Sequence, residues 1–169
     1  MGSTDPAWLM AARALIGTHE AAGSANNASI LGWAKKLGTK ALGMIYNADS
    51  IPWCGLFCAH AMQASGITPP PIAVRAKAWA TWGSALAADR LASGAILVFE
   101  RAGGGHVAFY VGEDATHYHV LGGNQGDAVN IMRIAKSRCV ARRWPKGWPV
   151  IGGPVKLAVN GAPVSRNEA

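Results

Sequence analysis

The spacing of apolar residues changes about halfway along the chain, and the change predicts the architecture. Up to residue 66 the apolar positions recur at helical spacing. Trp8, Leu9, Ala12, Leu15 and Ile16 form one stripe, capped by Thr4 or Asp5 with Pro6 at the first helical position, and it ends near Gly17. A second helix starts after Asn26 or Asn27, carries Ile30, Leu31, Ala34 and Leu37, and stops at Gly38. A third begins at Pro52 and runs through Trp53, Cys54, Phe57, Cys58, Ala61 and Met62 to Gly66. Pro69, Pro70 and Pro71 force an extended connection, and residues 74–82 make one more short helix. After Ser93-Gly94 the pattern becomes that of strands. The run Ala95–Phe99 is continuously apolar, His106–Val111 and His117–Leu121 follow across tight turns, and residues 128–134 and 138–144 complete the set. The expected fold class is α+β, with helices first and an antiparallel sheet after. Residues 1–150 form a single domain in this reading, and the Gly/Pro/Asn-rich residues 151–169 a flexible tail.

Composition narrows the classes. A chain of 169 residues has room for one domain with a real core, and 50% hydrophobic with 15% charged residues excludes a disordered chain. No apolar run approaches the roughly 18 residues of a membrane-spanning helix. The start carries Asp5 and no basic residue before Arg13, so it lacks the pattern of a secretory signal; synthesis in the cytoplasm is expected. The net charge of +7 lies in the last quarter, where eight Lys and Arg from Arg133 to Arg166 face Glu168 alone. Such a basic stretch suits a polyanionic partner or a plain solvated face.

Three cysteines, Cys54, Cys58 and Cys139, are too few for a disulfide scaffold, which leaves room for a reactive one. If Pro52 starts the third helix, Cys54 lies in its first turn, beside free N–H groups and the positive end of the dipole, where a thiol ionises more readily. A thiolate nucleophile needs a base and a group that orients the base. His106 opens a strand directly after Gly103-Gly104-Gly105, and Asn124 ends the neighbouring strand in Leu121-Gly-Gly-Asn-Gln125. A hairpin of this length sets Asn124 beside His106, with Gln125 the competitor and Asp127 a distant third. Cys, His, Asn is also the papain-like chain order.

Four segments in order resemble the CHAP and NlpC-type cysteine peptidases: Ile51-Pro-Trp-Cys-Gly-Leu-Phe-Cys58, Gly105-His-Val-Ala-Phe-Tyr-Val-Gly112, Val120-Leu-Gly-Gly-Asn-Gln125 and Arg143-Trp-Pro145. The resemblance covers roughly residues 6–150, and is nearest to a small phage- and bacterium-encoded branch. It implies a papain-like fold and hydrolysis of amide bonds in bacterial peptidoglycan. It implies Cys54 as nucleophile, His106 as general base and acid, and Asn124 as the orienting residue, with no cofactor or metal. Trp53 and Gly105 are expected to wall the substrate groove with Gln125, and the Cys54 N–H to serve the oxyanion hole, with Tyr46 a guess for the second donor. Such an enzyme is expected to be a monomer that reaches the wall through a holin, a virion tail or a secretion system; as a secreted toxin it would have an immunity protein as partner.

Blander readings stand beside these. Cys58 and Cys139 read as packing residues; a zinc site from the three cysteines and a histidine lacks a second paired motif. His117 and His119 read as an exposed strand face rather than a metal pair. The glycine run precedes a strand and has no Gly-Lys-Ser/Thr ending, which argues against a phosphate loop. Trp79 and Trp82 suit either a substrate platform or the core. Against the endopeptidase stand a muramoyl–L-alanine amidase of the same fold and a non-catalytic basic binding module on residues 133–146. A protein-directed deamidase or protease is a third reading.

Overall fold

The computed structural model describes residues 5–19, 27–38 and 52–168. Three α-helices lie in the first part of the described chain: α1 (Ala7–Arg13), α2 (Ala28–Leu37) and α3 (Cys54–Ala64). Asn27 caps α2, its side-chain oxygen accepting from the N–H groups of Ser29 (2.8 Å) and Ile30 (3.2 Å), and Gly38 closes it with a φ of 87° that a side chain would resist. The 74–82 segment forms a 3-10 turn over Ala76–Thr81.

Six strands follow: β1 (Ser84–Ala85), β2 (Ile96–Arg101), β3 (Gly104–Glu113), β4 (His117–Gly122), β5 (Asn130–Ala135) and β6 (Cys139–Trp144). They form one antiparallel sheet in the order β1-β6-β2-β3-β4-β5. The α+β expectation therefore holds. The two-residue β1 has no sequence signal, because it exists only by pairing with Arg143 and Trp144.

The core lies between the helices and the sheet. α3 is apolar nearly all round, so it is buried nearly all round: Phe57 meets Phe109 of β3 edge to face, and Trp33 of α2 packs on Trp53 and Phe57. Trp79 is fully buried with its indole N–H donated to the Ala73 carbonyl, and Trp82 packs against it, so this pair belongs to the core and not to a platform. The strand register leaves the start of β3 open on one side. β3 pairs with β2 along its whole first half, with Phe99 opposite His106, but its pairing with β4 begins only at Phe109. The start of α3 packs where β4 is missing, against Val107.

The end of the chain departs from the expected loose tail. Val155 accepts from the Glu113 N–H (2.7 Å), and Leu157 donates to the Glu113 carbonyl (2.8 Å). Pro163 and Ser165 make the same kind of pair with Arg133 of the edge strand β5 (2.8 and 2.9 Å), and Asn167 accepts from Gly126 (2.7 Å). Ser165 and Glu168 are buried. A sheet edge offers unpaired N–H and C=O groups whatever the composition of the segment that covers it, and here the tail takes that place. Each such bond contributes about 1 kcal/mol. Removal of residues 163–169 is therefore expected to lower the thermal midpoint by on the order of 10 °C; an unchanged midpoint by calorimetry would show these contacts to be idle.

Candidate active site

Cys54 is the first residue of α3, with Trp53 as its N-cap, two positions nearer the helix end than a start at Pro52 predicts. Its own N–H, and those of Gly55 and Leu56, have no acceptor within the helix; the ladder begins with Phe57 donating to the Trp53 carbonyl (2.9 Å). The amides of Cys54 and Gly55 reach the Cys54 sulfur, as does that of Val107. The sulfur thus lies against the peptide joining His106 to Val107. Gly55 is required here, because a Cβ would overlap the carbonyl oxygen of Ala73.

His106 is fully buried on β3, its ring stacked on Phe99. Its Nε2 pairs with Gln125 Oε1 at 3.0 Å, and its Nδ1 has no partner. The roles of the two nitrogens follow from Gln125. The Gln125 amide nitrogen donates to the Asn130 backbone carbonyl (2.9 Å) and to Asn130 Oδ1 (3.0 Å), so the amide oxygen must face the imidazole. That oxygen can only accept. His106 therefore carries its proton on Nε2 and leaves Nδ1 as a bare, basic lone pair. Gly122 makes room for this contact: a Cβ there would stand 2.5 Å from Gln125 Oε1.

Asn124 does not reach the histidine, contrary to the sequence expectation. β4 ends at Gly122, and Asn124 sits in the following turn with a φ of 60°, a left-handed conformation that asparagine tolerates. Strand alternation no longer applies past Gly122. The Asn124 side chain turns to the C-terminal segment and donates to the Glu168 carbonyl (3.0 Å). Asp127 also has a left-handed φ in this turn. Gln125 is in turn no groove residue; it is fully buried beneath the histidine. Trp53 is likewise fully buried, with the Gly123 backbone close over its ring, and so walls no groove. Gly105 does face the cleft, a space of about 420 Å³ bounded by Pro52 and Cys54, the 74–77 segment and the 101–105 turn. Tyr46 lies outside the described residues.

Two residues with no local sequence signal complete the support. Asn130 orients Gln125 from both sides, its own amide donating to the Gln125 carbonyl (2.9 Å). Glu168, the one acid of the last quarter, binds Arg138 and Ser165 through its carboxylate and ties down the turn that carries Gln125. The unequal charge count was the only hint of it.

Burial decides the resting protonation. It pushes the Cys54 thiol up, against the lowering from the Val107 and Gly55 amides and the Arg101 charge. It pushes His106 down to about 4, against the Gln125 bond and the Glu168 charge. The resting pair is thus a thiol and a neutral imidazole, not the free thiolate expected at a helix start. The histidine has a consequence for stability. Between pH 6.5, its ordinary value, and 4, the unfolded chain binds a proton that the folded one refuses. Its contribution is complete above pH 6.5 and lost as pH falls towards 4. The thermal midpoint of the wild type is expected to drop more across that window than that of His106→Gln; equal slopes would contradict the buried neutral ring.

The remaining candidates are structural. Cys58 is buried with its sulfur 3.8 Å from the Val107 carbonyl, and Cys139 is half-buried on β6. His119 is buried and not exposed, held by Asp114 at 2.9 Å, and Asp114 also accepts from Arg133 Nε (2.8 Å). Among the described residues no group of three or more His, Cys, Asp or Glu could hold a metal ion, and no helix is long and apolar enough to cross a membrane. Comparison with protein-family models and with curated proteins finds no match to this chain.

Proposed function

We propose that the protein is a papain-like cysteine hydrolase that cleaves an amide bond in bacterial peptidoglycan, with Cys54, His106 and Gln125 as its catalytic group. The observation that carries the chemistry is the His106 ring: buried, fixed in one tautomer by Gln125, with an unpartnered basic Nδ1 on the residue whose peptide touches the Cys54 sulfur. The Cys54 proton passes to Nδ1 as sulfur attacks the substrate carbonyl, and the imidazolium returns it to the leaving amine. Water, deprotonated by the same nitrogen, then releases the acyl group. The resting pair is neutral, so the proton leaves Cys54 only as its sulfur attacks, while the amides of Cys54 and Gly55 meet the developing negative charge. The peptidoglycan substrate rests on the sequence resemblance; delivery to the wall and an immunity partner are proposals on the same footing.

The basic binding module has less support. Of the eight cations from Arg133 to Arg166, Arg133, Lys136, Arg138 and Lys156 pair with carboxylates of the protein, while Arg142 and Arg143 donate to main-chain carbonyls of Leu86 and residues 81–83. Carboxylates of the protein thus meet four of the eight charges, which leaves a weaker field for a polyanion than the sequence count suggests. Digestion of purified sacculi, with the released muropeptides identified by mass spectrometry, tests the reading. Products that carry new peptide termini indicate an endopeptidase, and release of whole stem peptides an amidase. No release from sacculi of any peptide chemistry would overturn it.

A further inference from the structure

The cleft that opens on Cys54 is also lined by Arg75, Lys77 and Arg101, and no aspartate or glutamate is among its lining residues. The three cations differ in what holds them. Lys77 pairs with Glu100 at 2.8 Å, but both side chains are half-exposed, so the pair is weak. Arg101 is fixed: its Nε donates to the Gly105 carbonyl and its Nη1 to the Ala102 carbonyl, both at 3.0 Å. Neither bond neutralises the guanidinium, and Nη2 has no partner among the described residues. Arg75 is exposed, and its guanidinium has no hydrogen-bond or ion-pair partner among the described residues. The glycine run, which the catalytic group does not use, now has a role. Lys77 lies against Gly105, where a Cβ would stand 2.9 Å from its Cγ, and Gly103 and Gly104 add no side chains to the mouth.

We infer that this cleft recognises a carboxylate, and that the acyl donor accepted by Cys54 carries a free carboxylate close to the scissile amide, received by Arg75 and Arg101. An unopposed cationic site attracts anions, and a guanidinium already held by main-chain carbonyls loses little freedom on binding one. Arg101 also favours the Cys54 thiolate, so an anion bound there has to leave that charge partly unscreened; Arg75 supplies the second cation. The inference rests on Cys54 being the nucleophile but not on the identity of the wall bond.

Iodoacetate and iodoacetamide test it. Each loses iodide to the Cys54 thiolate and forms a C–S bond, and the two differ only as carboxylate and carboxamide. Rates are read on the Cys54 peptide by mass spectrometry, separately from Cys58 and Cys139. The ratio of iodoacetate to iodoacetamide rates is expected to exceed that of glutathione by about tenfold, the low end for a charge-assisted hydrogen bond. It should fall several-fold in Arg75→Gln and in Arg101→Gln, and with added salt. Taking the ratio cancels any change in thiolate fraction. A wild-type ratio equal to that of glutathione, or one indifferent to both substitutions, would overturn the carboxylate site alone. A Cys54 that reacts with neither reagent would overturn the nucleophile reading, and the site with it.

Discussion

Replacement of Cys54 by alanine is expected to abolish peptidoglycan hydrolysis, lowering turnover by about 10⁴-fold or more, with the fold retained. Without the sulfur no acyl-enzyme can form, and the amides at the start of α3 can bind an oxyanion but cannot attack. The substitution removes one buried atom beside Val107 and leaves the α3 packing on Phe109 and Trp33 untouched, so circular dichroism should be unchanged. Cys58→Ala is the matched control. It removes the same atom one turn on, from a site as buried, and should cost stability without costing turnover. Comparable loss of activity in both folded variants would exclude a single nucleophile.

The second large effect is expected at Gln125. Gln125→Ala frees the imidazole to take either tautomer and leaves Nε2–H buried without an acceptor, which should lower kcat by about 10²-fold with little change in KM. A structural role alone would not predict the next result. In Gln125→Glu a carboxylate meets the imidazolium, so the His106 pKa should rise and the acidic limb of the kcat profile should move to higher pH. Asn124 should behave differently. Asn124→Gly keeps the left-handed turn and should retain most activity, whereas Asn124→Ala should lose about 1 kcal/mol of stability through the backbone. If Asn124→Ala damages kcat more than Gln125→Ala does, the hydrogen bond between His106 and Gln125 is not the one that matters in catalysis.

Elements with a local cause were legible in the chain alone. Asn27 and Gly38 bound α2 because a cap and a left-handed glycine act within a turn of where they stand. The apolar run before Phe99 became β2, and the helix after Pro52 began with the cysteine among its first residues, because burial and proline act on the nearest backbone. The positions of Cys54 at a helix start and of His106 on a strand were legible for the same reason: each is placed by its own element. The hydrogen-bond partner of His106 was not. Its identity depended on where β4 stops, and a strand stops where its partners stop; two glycines and a left-handed asparagine shift the alternation by one residue, and Gln125 rather than Asn124 turns to the ring. The tail escaped for a related reason. Residues 152–168 have few apolar side chains to announce burial, but their main chain bonds to Glu113, Arg133 and Gly126, three positions scattered over the sheet that only the folded chain brings within reach. The protonation of the site was likewise decided in three dimensions. A helix start lowers a thiol's pKa wherever it occurs, but whether burial outweighs it depends on how completely β3, α3 and the surrounding core exclude water from Cys54 and His106, and here they exclude nearly all of it.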